Sequence, residues 1–187
     1  MPQTPSDDTE LMQRVQTGDE AALGVLMERW EAAIKAFIAR IVLNAGEAED
    51  LAQETFVRVW QQRGKFRRDL QFRPWVFSIA INLARNRLRW WRRRPTVELH
   101  EWSPAVRPEG SETRGGADRL EALERVAAVQ AAIASLPVDL REALVLFEFE
   151  GMSHSEIAVA VGASVKAVET RIYRAREQLR SALAKWL

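Results

Sequence analysis

Cysteine is absent from this 187-residue chain, which excludes disulfide frameworks, thiolate metal sites and thiol redox sensing. Histidine is almost as scarce. His100 and His154 stand alone, with no second imidazole at helical spacing, so neither a metal ion nor a cofactor is expected. Long apolar runs are missing too: none approaches the roughly 18 residues of a membrane span, so direct membrane insertion is not expected. The first ten residues are polar and acidic and lack the basic and apolar regions of a signal peptide, which points to a cytoplasmic protein. What remains is 47% hydrophobic and 28% charged, the balance of a folded domain rather than a disordered tail.

Net charge is nearly absent at +1, but only because four blocks of opposite sign cancel. Residues 1–62 hold 5 cations against 11 anions, and residues 63–94 hold 11 against 1. Residues 95–164 reverse again at 5 against 12, and residues 165–187 hold 6 against 2. Single-sign blocks create fields that attract polyanions in one place and basic surfaces in another. Arginine supplies 23 of the 27 cations, which suits bidentate contact with phosphate or guanine.

Apolar residues recur at spacings of three and four through most of the chain, so an all-α fold is expected. Residues 20–43 carry such a stripe at Leu23, Leu26, Met27, Trp30, Ile34, Phe37, Ile38 and Ile41. A turn at residues 44–46 leads to a helix over 47–62, a basic connector over 64–72, and a long helix to about Arg93 with Pro74 in its first turn. Pro95 stops it. Residues 95–116 lack periodicity and contain six of the prolines and glycines, which reads as a flexible linker between two helical domains. The expected division is 1–94, linker 95–117, and 118–187. Helical pattern resumes to Ser135, breaks at Pro137 and runs over 138–150 to Gly151. Ser153 with Glu156 forms a capping-box pattern, Gly162 makes a turn, and Ser164 caps the last helix.

Two helices of unequal length around Gly162 form a helix-turn-helix pattern. In the second, Val168, Ile172, Ala175, Leu179 and Leu183 share one face. Lys166, Thr170, Tyr173 and Arg174 lie opposite, with Arg171 on one flank and Arg176 and Arg180 on the other. An outward face of Thr, Arg and Lys is what reading a major groove requires, although a solvated helix closing a bundle has a similar pattern. The stretch KFRRDLQFRPWVFSIAINLARNRLRWWRRR mixes cations with aromatics, as partly single-stranded nucleic acid demands. Most of those aromatics, Trp75 and Phe77 among them, are expected in the core. The arginines would repel one another without an anionic partner.

Three ordered segments carry a family resemblance: GEAEDLAQETFVRVW at residues 46–60, RPWVFSIAINLARNRLRWWRR at 73–93, and LPVDLREALVLFEFEGMSHSEIAVAVGASVKAVETRIYRAREQLRSAL at 136–183. Together they resemble the extracytoplasmic-function (ECF) sigma factors of bacterial RNA polymerase. The resemblance implies sigma domain 2 for the −10 promoter element, sigma domain 4 for the −35 element, and core polymerase as an obligatory partner. Asp50, Gln53 and Glu54 match the family's surface for core polymerase. Arg85, Asn86 and Arg89 match the helix that meets −10 DNA, and Asn82 matches the family's asparagine after an Ile-Ala pair, a place for packing or for DNA contact. Lys65, Arg67, Arg68 and Gln71 fall in the connector that accepts a flipped −10 base. That connector is more basic here than is usual, and Asn86 stands where the family commonly has Asp. Lys166, Thr170, Arg171, Arg174 and Arg176 match the −35 recognition helix. Glu98, Glu101, Glu109 and Glu112 lie in the linker, which in the family threads through polymerase; as a bare composition it also suits a passive tether.

The resemblance further implies control by a separate anti-sigma protein, in keeping with a chain that closes at Leu187 behind its last helix. Two other classes fit less of the sequence. A dimeric repressor or a response regulator would need a ligand pocket or an α/β receiver where this chain has a basic helix. A nuclease would need clustered carboxylates or histidines near the basic block, whose sole acid is Asp69. The expectation is a promoter-specificity subunit and not an enzyme.

Overall fold

The computed structural model describes the backbone of residues 5–94 and 116–186, and side chains from 8–94 and 121–186. The expected linker, with its four glutamates, lies almost wholly outside the described residues. The described residues form eight α-helices and no strand: α1 (Pro5–Gln16), α2 (Glu20–Val42), α3 (Ala45–Gln61), α4 (Phe72–Arg93), α5 (Gly116–Ser135), α6 (Val138–Glu148), α7 (His154–Val161) and α8 (Val165–Ala182). Short 3₁₀ turns at Arg63–Lys65 and Ala184–Trp186 follow α3 and α8.

Side-chain caps set several boundaries. Asp19 accepts from the Ala22 N–H to open α2, and Asn44 accepts from the Glu47 N–H to open α3. Between α2 and α3 the chain turns on Leu43, whose φ of 59° is left-handed and costs a branched side chain about 1–2 kcal/mol. The Leu43 N–H still reaches the Ala39 carbonyl, so the turn keeps its hydrogen bond. Two boundaries differ from their sequence expectation. Helix α3 starts at Ala45 because Asn44, expected inside the turn, is itself the cap. Helix α6 stops at Glu148 because Gly151, at φ 62°, lets the Met152 N–H fold back onto the Leu146 carbonyl.

The expected stripe of α2 is the floor of the amino-terminal core. Leu26, Ile34, Phe37, Ile38 and Ile41 are buried, and Leu23, Met27 and Trp30 are partly buried against them. Phe37 and Phe77 meet edge to face at 5.3 Å, and Trp30 joins Phe77 at 6.4 Å. In α4 the buried stripe is Val76, Phe77, Ile79, Ala80, Ile81 and Ala84. Leu83 and Leu88 are only partly buried beside it. Asp8 fixes α1 to α2 by bonding Arg29 at 2.9 Å and the Trp30 indole N–H at 3.0 Å.

The carboxy-terminal helices do not stand apart from the amino-terminal ones. Buried apolar side chains of α1–α4 and α5–α8 form one contiguous cluster, with α7 against α4 and α6 against α2. Arg141, 6% exposed, donates to the Ile41 carbonyl of α2 at 2.8 Å. It also donates to the Leu136 carbonyl at 2.9 Å and to the Ala134 carbonyl, closing the turn between α5 and α6. Burial pulls its guanidinium below the ordinary arginine value, while Glu142 opposes that shift.

Candidate nucleic-acid interface

The basic connector is a loop clipped at its base. Phe66 and Phe72 are both nearly fully buried, their rings 6.3 Å apart, and Phe66 meets Trp75 at 5.2 Å. Aromatics at the loop's two ends are therefore structural, and no ring of theirs is left to stack on a base. Between them Arg67, Arg68 and Gln71 are exposed, as is Lys65 just before Phe66. Arg67 forks onto Asp69 at 2.9 and 2.7 Å, and that contact lowers the Asp69 carboxyl below its ordinary value. The Gln16 amide donates to the Arg63 and Phe66 carbonyls at 2.9 and 2.7 Å and pins the loop's start to α1. Nothing in the sequence marks Gln16 for that task, since a glutamine in a polar first helix has no periodic or motif signal.

Helix α4 carries its polar residues on a stripe opposite the core. Asn82, Asn86, Arg89 and Arg93 recur at helical spacing and are exposed. Arg89 donates to the side-chain oxygen of Asn86. On one flank Trp90 is 42% exposed with Arg94 over its ring at 5.1 Å. On the other flank Arg85 leaves the stripe. It donates two hydrogen bonds to Glu142 of α6, at 2.8 and 2.6 Å, and that carboxylate is fully buried. The bond to Glu142 raises the Arg85 guanidinium above its ordinary value, against the opposing effect of burial.

The second basic element with an exposed face is the α7–α8 pair. Ser153 and Glu156 complete the capping box, Gly162 takes a left-handed φ of 69°, and Ser164 accepts from the Ala167 N–H. Val168, Ile172 and Ala175 bury α8 against its neighbours. Lys166, Thr170, Tyr173 and Arg174 face solvent, Tyr173 being 67% exposed. The flanking arginines behave differently. Arg171, 27% exposed, lies 3.6 Å from Asp139 at the start of α6. Arg176 pairs with Glu148 at 2.6 Å and lies over the Phe147 ring. Of the five recognition-helix candidates, Lys166, Thr170 and Arg174 are exposed, Arg171 is held against the domain, and half-exposed Arg176 pairs with Glu148.

On α3, Asp50 and Gln53 are exposed, and Glu54 bonds Arg58 one turn on at 2.9 Å. Val57 is 52% exposed on the same side. An apolar side chain among carboxylates suits a protein partner rather than a polyanion. Glu47 and Glu49 are turned the other way, pairing with Arg87 of α4 and Lys35 of α2.

This arrangement defines a helical protein with one exposed basic stripe on α4 and a helix-turn-helix on α7–α8. Residues 26–94 match the Sigma-70 region 2 family and residues 127–179 match Sigma-70 region 4. The chain is 39% identical to the RNA polymerase sigma-H factor of Pseudomonas aeruginosa, over 96% of its own length and 95% of that protein's. It is 34% identical to the ECF RNA polymerase sigma-E factor of Escherichia coli K12, over 92% of each. Among solved structures, CnrH in complex with the cytosolic domain of CnrY is similar at a TM-score of 0.72 and 31% identity, covering 96% of this chain and 98% of that one. The chain belongs to the ECF sigma factors of RNA polymerase.

Proposed function

We propose that this chain is a promoter-specificity subunit, divided into a −10 domain at 1–94, a linker at 95–117 and a −35 domain at 118–187. One observation carries the reading: a single chain presents two separate outward stripes, Asn82–Asn86–Arg89 on α4 and Lys166–Thr170–Arg174 on α8, both suited to DNA. Asp50, Gln53 and Glu54, with Val57 beside them, form the surface for core polymerase, whose docking regions must be basic and partly apolar. Lys65, Arg67, Arg68 and Gln71 line the loop that receives an extruded −10 base. Extrusion costs a few kcal/mol, which contacts to the base and attraction of the strand by the arginines offset.

The phosphodiester chemistry then belongs to polymerase, and this subunit is not an enzyme. It works in the cytoplasm, and no helix among the described residues is long and apolar enough to cross a membrane. An anti-sigma protein is the expected negative partner, and the similar CnrH chain is likewise solved with a protein partner, the cytosolic domain of CnrY. The test is run-off transcription from a genomic promoter library by purified core polymerase, with and without this protein. Appearance of a defined set of new start sites supports the reading. An unchanged start-site profile, with stoichiometric protein present, overturns it.

A further inference from the structure

In the structure, the DNA-facing side of α4 is not free along its whole length. Arg85 sits between the exposed stripe and α6, and its guanidinium fork is fully engaged by Glu142. Glu142 has no exposed surface, so its carboxylate depends on that fork: an ionised group without a partner is strongly disfavoured in such surroundings. The same fork geometry is what a backbone phosphate would take. Arg85 cannot offer that Nε–Nη2 edge to both at once.

Other contacts close the same seam. Arg141 reaches the Ile41 carbonyl, and the Arg40 guanidinium lies 4.4 Å from the centre of the Phe149 ring. Beside the Arg85–Glu142 pair runs a crevice of about 620 Å³, lined by Arg92 of α4 and by Asp139 and Arg171 of the carboxy-terminal helices. Arg171 belongs to the expected recognition helix and leans toward Asp139. That pair lies within the carboxy-terminal helices, so of the two arginines it is Arg85 that the closed seam engages.

Dimensions require the seam to open. Elements named −10 and −35 are centred about 25 base pairs apart, which is about 85 Å of duplex at 3.4 Å per pair. A compact chain of this length has a radius of gyration of about 16 Å. With α7 packed on α4, the two DNA faces cannot occupy both elements.

We propose that the Arg85–Glu142 pair is an intramolecular latch: it holds the free chain closed, and promoter DNA competes with Glu142 for Arg85. The inference rests on the reading of α4 as a DNA-contacting helix. Once the lobes part, water solvates Glu142, and Arg85 rejoins Asn82, Asn86 and Arg89 on the outward stripe. A partner that binds only the parted form shifts the population by its preference for that form. If the open form is a one-in-ten to one-in-a-hundred minority, the latch weakens apparent DNA affinity roughly ten- to hundredfold.

The absence of cysteine makes the test clean. Spin labels on Gln61→Cys and Ser181→Cys, both exposed positions, report the distance between the lobes in the full-length protein. Wild type should give a single narrow distribution, and Glu142→Gln should shift much of it to longer, broader distances. Binding of a fluorescent random-sequence 12-nucleotide single strand, followed by anisotropy, should tighten roughly ten- to hundredfold in Glu142→Gln. Arg85→Ala should open the lobes equally without that gain in affinity, and it supplies the distance measurement if Glu142→Gln does not fold. Wild-type distances in both folded variants would overturn the latch, and opening without tighter binding in Glu142→Gln would overturn the competition. Failure of the sigma reading itself would show separately, as wild-type protein that adds no start sites with core polymerase.

Discussion

Arg174 and Arg171 lie three residues apart on α8, yet the structure assigns them different surroundings, and truncating each should separate base reading from support. Among the described residues no acid pairs with Arg174, and its side chain is exposed. Arg174→Ala should therefore leave stability within about 0.5 kcal/mol of wild type. If its fork reads a base edge, the lost contact is worth about 1–3 kcal/mol, or roughly a 5- to 150-fold drop in use of the matched promoter. Arg171 is 27% exposed and 3.6 Å from Asp139, a partly screened pair worth under about 1 kcal/mol. Its removal should lower Tm by no more than about 4 °C. It should also weaken transcription without regard to −35 sequence. The assay is run-off transcription with core polymerase on promoters carrying every single base-pair change in the −35 element, beside thermal melts of each variant. Arg174→Ala should approach parity with wild type only on promoters already changed at its own base pair. A uniform loss across all −35 variants would reduce Arg174 to a phosphate contact. A sequence-dependent loss in Arg171→Ala would refute the division drawn here.

Three further outcomes are expected. Asp50→Lys with Glu54→Lys should weaken association with core polymerase, measured by competition against the wild-type protein; the fold should survive, since the only ion pair lost among the described residues is an exposed one to Arg58 worth about 0.5 kcal/mol. Replacing Arg67, Arg68 and Gln71 together with alanine should impair open-complex formation most on a duplex promoter, and a template pre-melted at −10 should restore much of it, with a residual salt-sensitive defect; equal defects on both templates would sink the base-pocket assignment. Glu150 is held above the ordinary glutamate value of 4.5 by burial, against the pull of Arg40 and Arg73, so its stability contribution is complete at acid pH and declines as pH rises from about 4.5 through the raised value. Glu150→Gln should then melt higher than wild type at pH 7 and alike near pH 4, whereas a lower Tm at pH 7 would mean that attraction to the two arginines outweighs burial.

What the sequence could reveal followed from local rules. Periodicity places the α2 stripe because a helix on a core repeats its apolar contacts every three to four residues, and Ser153 with Glu156 signals its cap because both partners lie within one turn. The same rules put Thr170 and Arg174 outward. They do not reach contacts made across sequence distance. Arg85 and Glu142 are 57 residues apart, and each alone looks like a solvated charge on its own helix. One hint was present: Arg141 and Glu142 interrupt an otherwise apolar run in α6, where both faces of the helix must be covered. A charged pair there needs buried partners, but the spacing cannot say that one lies on α4 and another is the Ile41 carbonyl. The aromatics of the connector were ambiguous for a related reason, since a ring that clips a loop and a ring that stacks a base have identical composition. Burial of Phe66 and Phe72 decides it.

The distribution of acids around the two basic helices follows one rule. On α4, Glu47 takes Arg87 and Glu142 takes Arg85, each from another helix. Near and on α8, Asp139 lies beside Arg171, Glu148 takes Arg176, and Glu177 takes Arg180. These pairs cover flanks. Lys65, Arg68, Arg89, Lys166 and Arg174 are among the cations that no acid pairs within the described residues, and these five lie on the outward stripes or on the loop. Flank pairing reduces self-repulsion in a block of ten excess positive charges and leaves the outward groups for a polyanion. Each outward cation that meets a phosphate releases a counterion, so its loss should reduce the salt slope of promoter binding by about 1. An internally paired arginine gives up one anion to gain another and releases fewer ions. Arg68→Ala should therefore flatten the salt dependence, while Arg87→Ala should leave the slope unchanged and lower stability, through the Glu47 it leaves partly buried.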